Sequence, residues 1–125
     1  MSITEASGQK GGAAGNNTTG VSRAFGSNVS AGSLIVVVGM KYSPSSDAFV
    51  AGDCTKSAGT ATIGTISLDR QVQVDSVDAD FNCVGIWSAI VTGSGSLTMQ
   101  VAGAVSGSYL LIATDEFPGN WGSSR

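Results

Sequence analysis

Side chains able to do acid–base, nucleophilic or metal chemistry are sparse in this 125-residue chain, and their spacing brings few of them together. Histidine is absent, which removes the usual general base near neutral pH and the commonest zinc ligand. There is no Gly-x-Ser-x-Gly elbow and no Cys/His pair. The glycine-rich stretch at 8–17 lacks the Gly-Lys-Ser/Thr ending of a phosphate-binding loop, and no helical pattern follows it. Acidic neighbours occur at Asp78 with Asp80 and at Asp115 with Glu116. A glycosidase pair must flank a cleft at a set separation, which acids adjacent in sequence rarely do. The expectation is therefore no catalytic residue, no cofactor and no enzyme activity. The metal candidate is the run Asp75-Ser76-Val77-Asp78-Ala79-Asp80, whose alternating acids could converge on calcium. It lacks the central glycine and closing glutamate of an EF-hand loop, so solvated turn acids are the default reading. Asp75, Asp78 and Asp80 stand only as calcium candidates.

Charge narrows the partners. Six basic residues against nine acidic ones give a net charge of −3, with a pI near 4.5. The basic residues Lys10, Arg23, Lys41, Lys56, Arg70 and Arg125 are scattered rather than striped, so nucleic acid is not an expected partner. The first 46 residues are mildly basic and 47–80 carry the acidic excess, a split that could make one copy complementary to its neighbour. A solvated acidic rim is the plainer account. Residues 1–7 show neither a basic nor an apolar signal-peptide region, and the run Leu34-Ile35-Val36-Val37-Val38 is too short to span a bilayer. The expectation is a soluble chain made without its own export signal and without membrane contact. The Asn-x-Ser/Thr matches at Asn16, Asn17 and Asn28 then read as chance products of composition. Cys54 and Cys83 lie in no Cys-x-x-Cys motif. A buried free thiol at Cys83 is expected, with a Cys54–Cys83 disulfide as the alternative.

The elements that must position these groups are strands. Gly (18 residues), Ser, Ala and Thr dominate, charged residues are only 12% and aromatics 6%, which excludes a disordered polyelectrolyte and a helical bundle. Residues 1–20 are polar and glycine-rich, with too little apolar surface to offset ordering on their own, and read as a flexible arm. Short strands follow. Val21-Ser22-Arg23-Ala24-Phe25 alternates as a first or edge strand. Leu34 to Met40 holds no polar residue, and its consecutive β-branched residues suit a central strand buried on both faces. Ala48-Phe49-Val50-Ala51, 60–66 and Gln71-Val72-Gln73-Val74 read as shorter strands. The segment 81–91 reads as a second strongly buried strand carrying Trp87, and 97–101 and 108–114 complete the set. Turn clusters at 28–33, 42–47 and 92–96 separate them. Some seven or eight short strands with no helical period predict an all-β fold, an antiparallel β-sandwich or jelly roll at 21–116, followed by a tail at 117–125.

Four motifs carry a family resemblance: Asn28-Val29-Ser30-Ala31-Gly32-Ser33-Leu34-Ile35-Val36-Val37-Val38; Gly85-Ile86-Trp87-Ser88-Ala89; Thr92 to Val101; and Leu110-Leu111-Ile112-Ala113-Thr114-Asp115-Glu116-Phe117-Pro118-Gly119. The chain over 28–119 resembles β-sandwich modules of tailed-phage virion proteins and bacterial surface proteins, whose pattern runs V-x-A-G-N-L-I-V-V, I-W-Y-A, T-V-T-V and a closing E-Y-S-G. Ser33 stands where that pattern has Asn, Ser88 where it has Tyr, and Phe117-Pro118 where it has Tyr-Ser. These motifs specify a sandwich rather than a chemistry. The resemblance implies a structural role on the virion surface, as a capsid decoration protein made in the host cytoplasm. It would clamp neighbouring major capsid subunits and associate with sister copies as a homo-oligomer, a trimer being the natural guess at capsid symmetry axes. The expected interface residues are Lys10 and Arg23 in the basic N-terminal part, and Phe117 and Trp121 in the tail, where an exposed tryptophan fits an interface anchor. The alternative is a carbohydrate- or receptor-binding sandwich of a tail or cell surface, with Tyr42, Tyr109 and Trp121 as its aromatic candidates.

Overall fold

The computed structural model describes residues 11–16, 20–43, 48–75, 81–103 and 109–121. Within them the chain forms strands β1 (Gly11–Asn16), β2 (Gly20–Ala24), β3 (Leu34–Ser43), β4 (Cys54–Ala58), β5 (Thr62–Ile63), β6 (Ser67–Asp75), β7 (Phe81–Gly93), β8 (Thr98–Ala102) and β9 (Tyr109–Phe117). The larger, six-stranded sheet runs β1-β9-β3-β7-β5, with β6 also paired to β7; the smaller sheet runs β2-β8-β4. Every strand pair is antiparallel. The fold is an all-β sandwich.

The β-branched run of β3 lies at the centre of the large sheet, where Val37 is flanked by Trp87 of β7 and Thr114 of β9. Its inward residues Ile35 and Val37 join Trp87, Ala89, Leu110 and Ile112 against Val21, Met99 and Val101 of the small sheet. Trp87 is fully buried and meets Phe49 edge to face, ring centroids 5.0 Å apart. Two glycines make room for the indole. Gly39 and Gly85 are cross-strand neighbours. A Cβ on Gly39 would sit 2.9 Å from the ring, and one on Gly85 would sit 2.5 Å from it. Lys41 also points inward: its ammonium donates to the Gly103 carbonyl at 3.0 Å and lies 4.6 Å over the Phe49 ring.

Several expectations need correction. The outer face of β3 is not buried: Val36 and Val38 are half-buried and Met40 and Tyr42 exposed, because the small sheet covers only one side. Residues 48–51 are not a strand. Asp53 accepts the Val50 N–H at 2.8 Å and helps close a 3₁₀ turn, Ala51–Asp53. Of 60–66 only Thr62–Ile63 is strand. Part of the expected N-terminal arm, Gly11–Asn16, is an edge strand on β9 of the same chain, held by backbone pairing and by Ala13 packing on the core. The cysteine expectation holds instead: Cys83 is a buried free thiol, and Cys54 is buried and free as well.

Candidate interaction face

Alternation along a strand sends successive side chains to opposite faces, and in an antiparallel sheet with one wet face this usually gives apolar-in, polar-out. The large sheet breaks that pattern. Its outward residues on β3 are Leu34, Val36, Val38, Met40 and Tyr42. Register sets Phe117, Asp115, Ala113, Leu111 and Tyr109 of β9 beside them on one flank, and Ile86, Val84 and Asn82 of β7 on the other. Beyond β7 stand Arg70, Val72 and Val74 of β6; beyond β9, Gly12 and Ala14 of β1. Met40, Val72, Tyr109 and Leu111 are each close to half exposed, and Val74 is 59% exposed. The face spans five strands at the level of Val38 and Met40 and about 27 Å along β3, narrowing toward Leu34 where Ser88 and Ile90 of β7 are buried; it covers on the order of 400 Å² in plan, within the range of the largest apolar patch of an ordinary monomer.

The relief of the face is uneven. Where β1 and β9 contribute Gly12, Ala14 and Ala113, the surface sinks into two adjoining troughs of about 420 and 470 Å³, walled by Met40, Leu111 and Phe117. Where β7 and β6 contribute Val84, Ile86, Val72 and Val74, branched side chains stand up. Charge is confined to the flanks. Asp115 borders one trough. On the far side Arg70 sits beside a bulge, where the Ser88 hydroxyl donates to Asp69 at 2.5 Å.

The residues singled out from sequence fall in different places. Lys10, Asp78 and Asp80 lie outside the described residues, and Asp75 ends β6. No group of three or more His, Cys, Asp or Glu side chains able to hold a metal occurs among the described residues. Arg23 is half-buried on β2, its guanidinium packed against the Gly11 backbone of its own chain so that a Cβ there would collide with it. Phe117 lies on the outer face beside Leu34. Trp121 folds back onto its own molecule, its indole N–H donating to the Phe117 carbonyl at 2.9 Å and its backbone N–H to the Gly32 carbonyl at 3.1 Å. The structure thus brings Phe117 and Trp121 together and leaves Arg23 apart. Tyr42 and Tyr109 form an edge-to-face pair, centroids 6.0 Å apart. That pair sits about 27 Å along the sheet from Phe117, so the three aromatic candidates make no single platform.

The paired acids separate in the same way. Asp115 points outward, whereas Glu116 points inward, is buried, and accepts the Ser30 N–H at 2.9 Å. They cannot act on one substrate atom. Burial pushes the Cys54 thiol up to about 12, which leaves it protonated and unreactive at neutral pH. Sequence reasoning missed the contributions of Val38, Met40, Leu111, Val72 and Val74 to one face. The available signal was the unbroken apolar run of β3, read as burial on both sides when one side is open.

Compared with protein-family models, curated proteins and solved structures, the chain has no match. Fold and face together define a β-sandwich with an apolar, partly exposed outer face on its larger sheet.

Proposed function

We propose that this chain is a structural virion protein, a capsid decoration protein that stabilises a tailed-phage head by burying surface against neighbouring major capsid subunits and sister copies. The resemblance over 28–119 supplies the virion assignment. The observation that carries the contact role is the continuous apolar outer face of the large sheet, which is costly to leave in water. In this reading the Trp87-centred sandwich is a rigid body, and the edge of β1, which among the described residues pairs only with β9, offers a second mode of attachment by strand addition. A lattice of copies converts a modest single contact into high avidity.

The test is co-sedimentation of the purified chain with coat-protein shells of a tailed phage, followed by imaging of the decorated shells. Saturation at a copy number matching a lattice position, with density on the outer surface, is the expected result. Absence of saturable binding to assembled shells overturns the reading.

A further inference from the structure

We infer that the apolar face of the large sheet is occupied by the same face of a second copy of this chain, packed sheet on sheet about a two-fold axis parallel to the strands. The inference rests on reading this face as a contact surface but not on the virion assignment.

Shape is the first argument. The face is low on its β1/β9 flank, where Gly12, Ala14 and Ala113 floor the troughs, and high on its β7/β6 flank, where Val72 is 49% exposed. An axis running between β3 and β7 exchanges those flanks: β3 of one copy lies over β7 of the other, and β9 over β6. Arg70 then comes down over Ala113, on a trough floor, and Val72 over Leu111, at a trough wall, since register sets Arg70 level with Ile86, Val38 and Ala113 and Val72 level with Val84, Met40 and Leu111. The contact is made twice, as an isologous arrangement requires.

Charge is the second argument. The same operation brings Arg70, level with Ile86, Val38 and Ala113, to within one outward residue of Asp115 on the facing copy. That is about 7 Å along the strand, within reach of an arginine side chain.

Sedimentation equilibrium of the full chain should show a reversible dimer. Val72→Asp and Leu111→Asp alter outward side chains only and should each weaken it by ~100-fold or more, since each buries an unpaired carboxylate in an apolar contact. Trp87 fluorescence should remain native in both. Arg70→Asp and Asp115→Arg should each weaken the dimer, and the double exchange should restore it. A monomer at every concentration, or an oligomer indifferent to Val72→Asp and Leu111→Asp, overturns the inference; failure of the charge exchange to restore the dimer overturns the two-fold arrangement. A monomer that binds shells through Leu111 would overturn this inference while leaving the proposed function standing. A dimer that binds no shell would do the reverse.

Discussion

Trp87 occupies space that two glycines leave open, so the core depends on residues without side chains as much as on the indole itself. Gly85→Ala would place a methyl 2.5 Å from the ring and 3.0 Å from Phe49. Both aromatics are held from several sides, so the substitution should destabilise the fold by about 1–3 kcal/mol in chemical denaturation. Gly52→Ala, with nothing within 4 Å, should stay within about 0.5 kcal/mol. Glu116 is a second residue whose value is local. Its carboxylate satisfies the Ser30 N–H beside the turn that holds Trp121 through Gly32. Glu116→Ala should cost about 1–3 kcal/mol by leaving a donor unsatisfied and should shift the tryptophan emission of the folded state. Cys54 gives a pH prediction with a definite sign. Its thiol is raised from 9.0 to about 12 by burial, so above pH 9 the unfolded chain loses a proton that the native chain keeps. Stability from this site is complete below pH 9 and falls as pH rises toward 12, by at most about 1.4 kcal/mol per unit. Denaturation midpoints from pH 8 to 11 should fall more steeply for the native chain than for Cys54→Ala.

At the scale of elements, what was legible in the sequence follows how many side chains each strand buries. β3 and β7 could be read because each carries a run of large apolar residues at its centre, and β8 and β9 because Met99, Val101, Leu110 and Ile112 alternate with exposed or half-exposed neighbours. β4 was silent because only Cys54 of its five residues is buried. The edge strand β1, Gly-Gly-Ala-Ala-Gly-Asn, has no pattern to detect, since its partner β9 supplies the order. Phe49 announced a strand but is a plug: it fills the core from an extended segment ahead of the 3₁₀ turn, and hydropathy alone does not separate the two. The candidate face was hidden for a related reason, because an apolar run reports affinity for burial and not how many sheets are present to provide it. These differences should appear in hydrogen exchange. β1, bonded on one side and lightly packed, should open locally, and its amides should exchange at least ~100-fold faster than those of Val37 and Trp87, whose opening requires the whole sandwich to come apart.

At the scale of the whole molecule, one small sheet cannot cover both faces of a larger one. The three-stranded sheet seals the inner side around Trp87 and leaves Val38, Met40, Leu111 and Val72 facing outward. A chain with 12% charged residues has few charges with which to offset that exposure, and association would remove the mismatch at its source. Dimerisation through this face would make thermal stability depend on concentration, because only the folded chain can assemble. A tenfold rise in protein concentration then adds about 0.7 kcal/mol per chain, which for a domain of this size raises Tm by roughly 2–4 °C. Leu111→Asp, which removes the contact without touching the core, should give a Tm that does not move with concentration. Differential scanning calorimetry across two decades of concentration reads both slopes directly. Equal slopes for the two proteins would mean that the outer face stays open in the folded state, and that the unequal sheets are balanced by something other than a second copy.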